Sequence, residues 1–173
     1  MCKIGVIGTG GLSLEVFDLL FDCFKHKQKN LENEIFFVDD SNSNKKHLGI
    51  NIVKEADIDF SKVKIVIAIT DPGVRKRIVS KLPIDTKFAN IIHPSSYISP
   101  SSNLGKGIII SHNCVVSSNV KIGNHSILNY HTCIGHQSSI GDYFTSAPGV
   151  KISGDCFINN CVEFGTNSSI VQG

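Results

Sequence analysis

Ile122-Gly123-Asn124-His125-Ser126-Ile127-Leu128-Asn129-Tyr130-His131-Thr132-Cys133-Ile134-Gly135-His136 places a large apolar residue at every sixth position. The same count runs outward in both directions. Upstream it meets Val116, Ile110, Leu104, Ile98 and Ile92, and downstream Ile140, Ile152, Ile158, Phe164 and Ile170. Only Ser146 breaks the series. Helices repeat every 3.6 residues and plain strands every two, so a sustained period of six belongs to neither. It is the signature of a chain wound into a β-helix.

Numbering each repeat from its apolar residue, the second position is mostly small (Ser99, Gly105, Ser111, Gly123, Gly135, Gly141, Ser153). The fifth is small or β-branched (Ser102, Cys114, Val120, Ser126, Thr132, Ser138, Val150). Inward positions two apart, with one outward residue between them, make a short strand. A small residue after the apolar one suits a corner. Three such strands close a triangular coil of eighteen residues, and residues 89–173 supply between four and five coils. The repeat is still in register at Gly173, which predicts that a further coil or an oligomeric neighbour covers that end.

Residues 1–88 follow another pattern. Lys3 to Ile7 reads as a buried strand, followed at once by Gly8-Thr9-Gly10-Gly11. A helix is predicted from Leu12 to His26, with Leu12, Val16, Leu19, Leu20 and Cys23 on one face. Ile35 to Val38 is a second strand, 41–46 a loop, and Lys64 to Ile69 a third strand. Asp71-Pro72 opens a helix ending near Leu82-Pro83, with Asp71 as its cap. That order predicts a small Rossmann-like α/β domain (1–88) ahead of a β-helix domain (89–173).

Charge is nearly balanced, at +2, and no basic block points to nucleic acid. Six cysteines are scattered without a C-x-x-C pair and read as reduced thiols. Neither a signal peptide nor an apolar run of membrane-spanning length is evident, so the chain is expected in the cytoplasm, away from membranes.

The glycine turn between strand and helix presents backbone N–H groups to a phosphate, although Ser13 stands where the full fingerprint has glycine. A tight turn alone would look the same. Asp39 and Asp40 end the second strand, where carboxylates accept from a ribose or base, and Thr70 ends the third on the same rim. Among the histidines, His125 and His131 hold the fourth repeat position, expected to point outward, while His112 and His136 hold the third, at a corner. One coil beyond His136 lies Gly154. A histidine base beside an open backbone N–H is a plausible acyl-transfer site.

Both halves together resemble the bacterial sugar-nucleotide acetyltransferases of the sialic-acid O-acetyltransferase and bacillosamine-pathway N-acetyltransferase type. The resemblance is carried by Ile7 to Gly11 with Glu15-Val16, by Val38-Asp39-Asp40, by Val66 to Ile69 and by Ile92-His93-Pro94-Ser95. Its most specific part is Ile134-Gly135-His136, continued through Ile140-Gly141-Asp142 to Ala147-Pro148-Gly149-Val150. It implies a left-handed parallel β-helix, a homotrimer, and acetyl-CoA bound between subunits. It implies that Gly10 and Gly11 approach the phosphates of a nucleotide-linked sugar, with Asp39 and Asp40 at its base or ribose. His136 then takes the general-base position and the Gly154 amide meets the acetyl carbonyl, in direct transfer with no metal. Gln137 stands where the family commonly has a carboxylate, and Thr145 where some members place a cofactor-contacting histidine. N-acetylation fits the two-domain layout better than O-acetylation. A non-catalytic sugar-nucleotide sensor, and a zinc lyase using His131 and His136, are the competing readings.

Overall fold

The computed structural model describes residues 3–25 and 30–173; Cys2 and His26 therefore lie outside the described residues. The N-terminal part builds β1 (Lys3–Ile7), α1 (Gly11–Lys25), α2 (Leu31–Glu34), β2 (Ile35–Val38), β3 (Lys46–His47), β4 (Ile50–Val53), β5 (Val63–Ile67), α3 (Pro72–Val79) and β6 (Lys87–Phe88). Its sheet runs β3-β4-β2-β1-β5-β6 and is parallel apart from the β3–β4 pair. Val6, Phe37, Ile65 and Val66 are inaccessible to solvent at its centre. Leu12, Val16, Leu19 and Leu20 of α1 pack on it, as the helical spacing predicts. Asp71 caps α3, its carboxylate accepting from the Val74 N–H at 2.8 Å, and Pro72 occupies the first turn. Strands β3 and β4 follow the expected 41–46 loop, overlapping it only at Lys46, and were not among the predicted elements. The apolar signal of Ile50-Asn51-Ile52-Val53 is only four residues long, and pairing with β2 is what makes it a strand.

Fourteen two-residue strands follow, from Ile91–Ile92 to Ser169–Ile170. They stack in register eighteen residues apart, Ile109 on Ile91 and Ile127 on Ile109, and form three parallel sheets. This is the predicted left-handed parallel β-helix. The first and fifth repeat positions point inward and fill a continuous core: Ile110, Cys114, Val116, Val120, Leu128 and Val150 are inaccessible to solvent.

Ser146, the break in the period, is also fully buried. Two residues earlier in the same coil, Phe144 occupies an inward position that is usually small, and its ring meets Phe164 edge-on at 5.5 Å. Phe164 lies directly over Ser146 in the next coil. Large and small have exchanged places within one layer, conserving volume. The Ser146 hydroxyl is satisfied by Thr132 Oγ1 at 2.8 Å and the Asn129 N–H at 3.1 Å.

The corners correct one expectation. The fourth position is not an outward strand residue. His125, His131, Gln137 and Tyr143, with their counterparts in other repeats, have φ near +60° and complete a two-residue turn. Left-handed backbone costs about 1–2 kcal/mol at a non-glycine residue. Hydrogen bonds offset it: each turn N–H donates to the coil below, His125 to Lys106 O, Gln137 to Ser118 O and Asp155 to His136 O, at 2.7–2.9 Å.

One face of the prism is closed off by the N-terminal domain. Its outward residues Ile91, Ile109 and Ile127 join the core of α1, β1 and β2 at 1–4% exposure. The equivalent outward residues of a second face, Tyr97, Val115 and Lys151, stay exposed. The same column continues with Thr145 and Glu163.

Candidate active site

Arg75 of α3 ties the two domains together and is 1% exposed. Its Nε donates to His125 O (2.9 Å), Nη1 to Ile69 O (2.7 Å) and Thr70 O (2.6 Å), and Nη2 to Tyr143 O (2.8 Å), Phe144 O (3.1 Å) and Thr145 Oγ1 (2.8 Å). Burial pulls its pKa down to about 10, opposed by the negative field of Glu163 and Asp71. Carbonyl dipoles, not a carboxylate, solvate this cation.

Two expected positions are absorbed by that joint. Thr145 is 3% exposed and its hydroxyl donates to Thr70 O at 2.8 Å. Thr70 contributes its carbonyl to Arg75 and Thr145. His125 is 5% exposed, not outward, with its ring edge-on to Phe88 (4.4 Å) and stacked on Tyr143 (5.3 Å). Burial, then the Arg75 charge, depresses its pKa to about 4. The docking of the domain produces all three outcomes, and a single repeat carries no sign of it.

The carboxyl ends of β1 and β2 open into a cleft of about 290 Å³ lined by Gly8, Asp39, Asp40, Ser41, Glu55 and Ile69 among others. Gly8 has φ +106°, and a side chain there would press on the Ala68 carbonyl at 3.1 Å. Gly10 and Gly11 face open space: a methyl group added at either would meet nothing within 4 Å, so their lack of a side chain serves no internal packing. The helix N-terminus behind them is accessible to an anion. Ser13 is fully buried and its hydroxyl donates to Gly10 O at 2.5 Å, with His47 Nε2 2.9 Å away, so it braces the turn.

Asp39 and Asp40 separate in role. Asp39 accepts from Thr9 Oγ1 (2.6 Å), Ser41 Oγ (2.6 Å), Ser41 N (2.9 Å) and Asn42 N (3.2 Å). Burial pushes its pKa up, but the Ser41 and Thr9 donors outweigh this and hold it below the usual carboxylate range. These four donors match about the four acceptor sites a carboxylate has. Asp40 is exposed and its carboxylate accepts only the Glu55 N–H, at 2.9 Å, among the bonds described. Asp40 therefore has the free acceptor capacity for a ribose or base.

At the β-helix corner, the His136 side chain is open to solvent and stacks on Gly154 as the eighteen-residue count requires. A Cβ on Gly154 would stand 2.6 Å from His136 Cε1 and Nε2. The Gly154 N–H donates to none of the backbone carbonyls or side chains described. Gln137 Oε1 lies 3.1 Å from His136 Nδ1. His131 belongs to the neighbouring corner, one strand away, and does not group with His136 among the described residues. The His136 corner lies between the two uncovered faces, opposite the face where the chain's own N-terminal domain docks.

A further cluster has no counterpart among the sequence motifs. Asp22 of α1 bridges His93 Nε2 (3.2 Å) and His112 Nε2 (3.4 Å) across the domain seam. The two imidazoles stack at 3.6 Å with planes 26° apart. Near-parallel rings do not aim both lone pairs at one point, so the carboxylate serves as the bridge between them. His93 lies in a stretch that carries the resemblance, but its α1 partner, about seventy residues away, was not legible in the sequence.

The molecule thus joins a β-helix, with an exposed corner histidine stacked on the buried Gly154, to a Rossmann-like domain with an anion-accessible glycine turn. Residues 3–82 match the PglD N-terminal domain family. The fold matches the acetyltransferase domain of PglB from Neisseria gonorrhoeae FA1090 in complex with acetyl coenzyme A: TM-score 0.88, 23% identity, 98% of this chain and 82% of that one. WeeI from Acinetobacter baumannii AYE matches at TM-score 0.86 and 28% identity, over 100% and 82%. A histidine-to-asparagine mutant of perosamine N-acetyltransferase from Caulobacter crescentus, with CoA and GDP-perosamine, matches at 0.79 and 20%, over 98% and 89%. No curated protein matches. The whole chain shares the fold of these structures. Among the described residues, no helix is long and apolar enough to cross a membrane.

Proposed function

We propose that this chain transfers the acetyl group of acetyl-CoA to the amine of a nucleotide-linked amino sugar, with His136 as general base. The observation that carries the reading is the stacking of Gly154 on His136, which sets an unpaired N–H beside a solvent-accessible imidazole. His136 takes the proton from the amine as its nitrogen attacks the thioester carbonyl. The Gly154 N–H receives the developing oxyanion. The C–S bond then breaks, and the proton passes to the departing coenzyme A thiolate. Gly10 and Gly11 meet the sugar nucleotide's phosphates and Asp40 its ribose or base. The likeness to perosamine N-acetyltransferase favours an amine over a hydroxyl as acceptor.

His136 sits at the corner opposite its own N-terminal domain. A sugar held in the cleft of one chain therefore meets His136 of another copy, in a homotrimer of the kind the resemblance implies. The test incubates purified protein with acetyl-CoA and a panel of nucleotide-linked amino sugars, and follows thiol release. His136→Ala is expected to lower transfer by at least about 10²-fold. Mixing His136→Ala chains with chains blocked at the glycine turn is expected to restore part of the activity. Full activity in His136→Ala removes the histidine from the mechanism, and absence of rescue removes the shared site.

A further inference from the structure

Gln137 follows His136 in the chain, and the backbone holds both side chains at one corner. The Gln137 N–H donates to Ser118 O in the coil below (2.9 Å), and His136 O accepts from the Asp155 N–H in the coil above (2.8 Å). In that frame Gln137 Oε1 faces His136 Nδ1 at 3.1 Å. An amide oxygen only accepts, so the ring nitrogen opposite it must carry the proton. Nε2 is then left with its lone pair, and Nε2 and Cε1 are the ring atoms nearest to Gly154. The other charged groups of this corner are engaged elsewhere. The Asp155 carboxylate takes the Gln172 amide at 3.0 Å, and the Lys151 ammonium is bound to His131 O and lies 3.4 Å from Cys133 Sγ.

We infer that Gln137 is a neutral positioning residue that fixes His136 in the Nδ1–H tautomer, so that Nε2 is the base, without adding a charge that would stabilise the imidazolium. The inference rests on His136 being the general base.

The test reads the histidine directly, apart from activity. Nitrogen-15 spectra of the intact protein are recorded for wild type, Gln137→Leu and Gln137→Glu across a pH titration, with kcat measured in parallel. Wild type is expected to show the Nδ1–H tautomer. Gln137→Leu, which has no acceptor, is expected to shift His136 toward Nε2–H and to lower kcat about fivefold with KM for the sugar nucleotide unchanged. Gln137→Glu is expected to keep the Nδ1–H tautomer and to raise the titration midpoint of His136, and the acid limb with it, by about one pH unit. An Nε2–H tautomer in wild type, or a spectrum unaltered by Gln137→Leu, overturns the inference. Spectra that respond as expected while kcat does not would leave the tautomer lock standing and sink the assignment of His136 as base.

Discussion

Replacing Gly154 by alanine should separate catalysis from folding. The added methyl carbon would lie 2.6 Å from both Cε1 and Nε2 of His136. Carbon atoms in good contact sit about 3.5–4.0 Å apart, so the overlap is about 1 Å. The backbone need not give way, because φ at Gly154 lies outside the left-handed region that only glycine adopts freely. The imidazole at the corner is free to rotate out instead. An off-rotamer side chain costs about 0.5–1.5 kcal/mol, so the thermal midpoint should move by only a few degrees. Catalysis is less tolerant, since a displacement of about 1 Å at a reacting group costs about 10²-fold in rate. The assay is thiol release from acetyl-CoA under saturating sugar nucleotide, with thermal unfolding run on the same preparation. Gly165→Ala is the control, because its nearest neighbour would be Ser168 Oγ at 3.8 Å. Gly154→Ala with wild-type kcat would show that the stacked imidazole is not the base. A large loss of stability would show that the ring cannot move, and would refute this geometry.

Arg75→Ala should leave the carbonyls of Ile69, His125 and Tyr143 without their donor and destabilise the protein by about 3 kcal/mol in urea unfolding, with the two domains separating into distinct transitions. A change below about 1 kcal/mol would mean that the joint is held by the isoleucine face alone. His125 has its folded pKa depressed to about 4 from the ordinary 6.5. Between those values the unfolded chain binds a proton that the folded one does not. Stability is therefore full above pH 6.5 and falls as pH drops toward 4, by about 3 kcal/mol in all. The same titration on His125→Asn should lack that slope; an unchanged slope would place the titrating group elsewhere. Gly10→Ala puts a methyl group into open space, so unfolding should be unaffected while KM for the sugar nucleotide rises about tenfold. A normal KM would exclude the glycine turn from the phosphate site.

The hexapeptide period was legible because each coil makes the same demand: inward residues must fill a core of constant width. From the period followed the β-helix, the eighteen-residue coil and the placing of Gly154 on His136. The strand-turn-helix grammar of residues 3 to 79 was equally clear, since local hydrophobic pattern and the Asp71 cap fix those elements at short range. What sequence could not supply was the side of the prism that the first domain covers. That is decided when Ile91, Ile109 and Ile127, eighteen residues apart, come together as one apolar strip and meet α1. Docking then buries His125, which by repeat phase looked outward, and draws Thr145 and the Thr70 carbonyl to a guanidinium on α3. Asp39 is saturated and Asp40 left free only through the fold of the 39–42 loop, whose donors no strand pattern announces. Periodic burial is a local property of the chain and is written in it. The choice of covered face is a contact between surfaces far apart in sequence, and only the tertiary structure decides it.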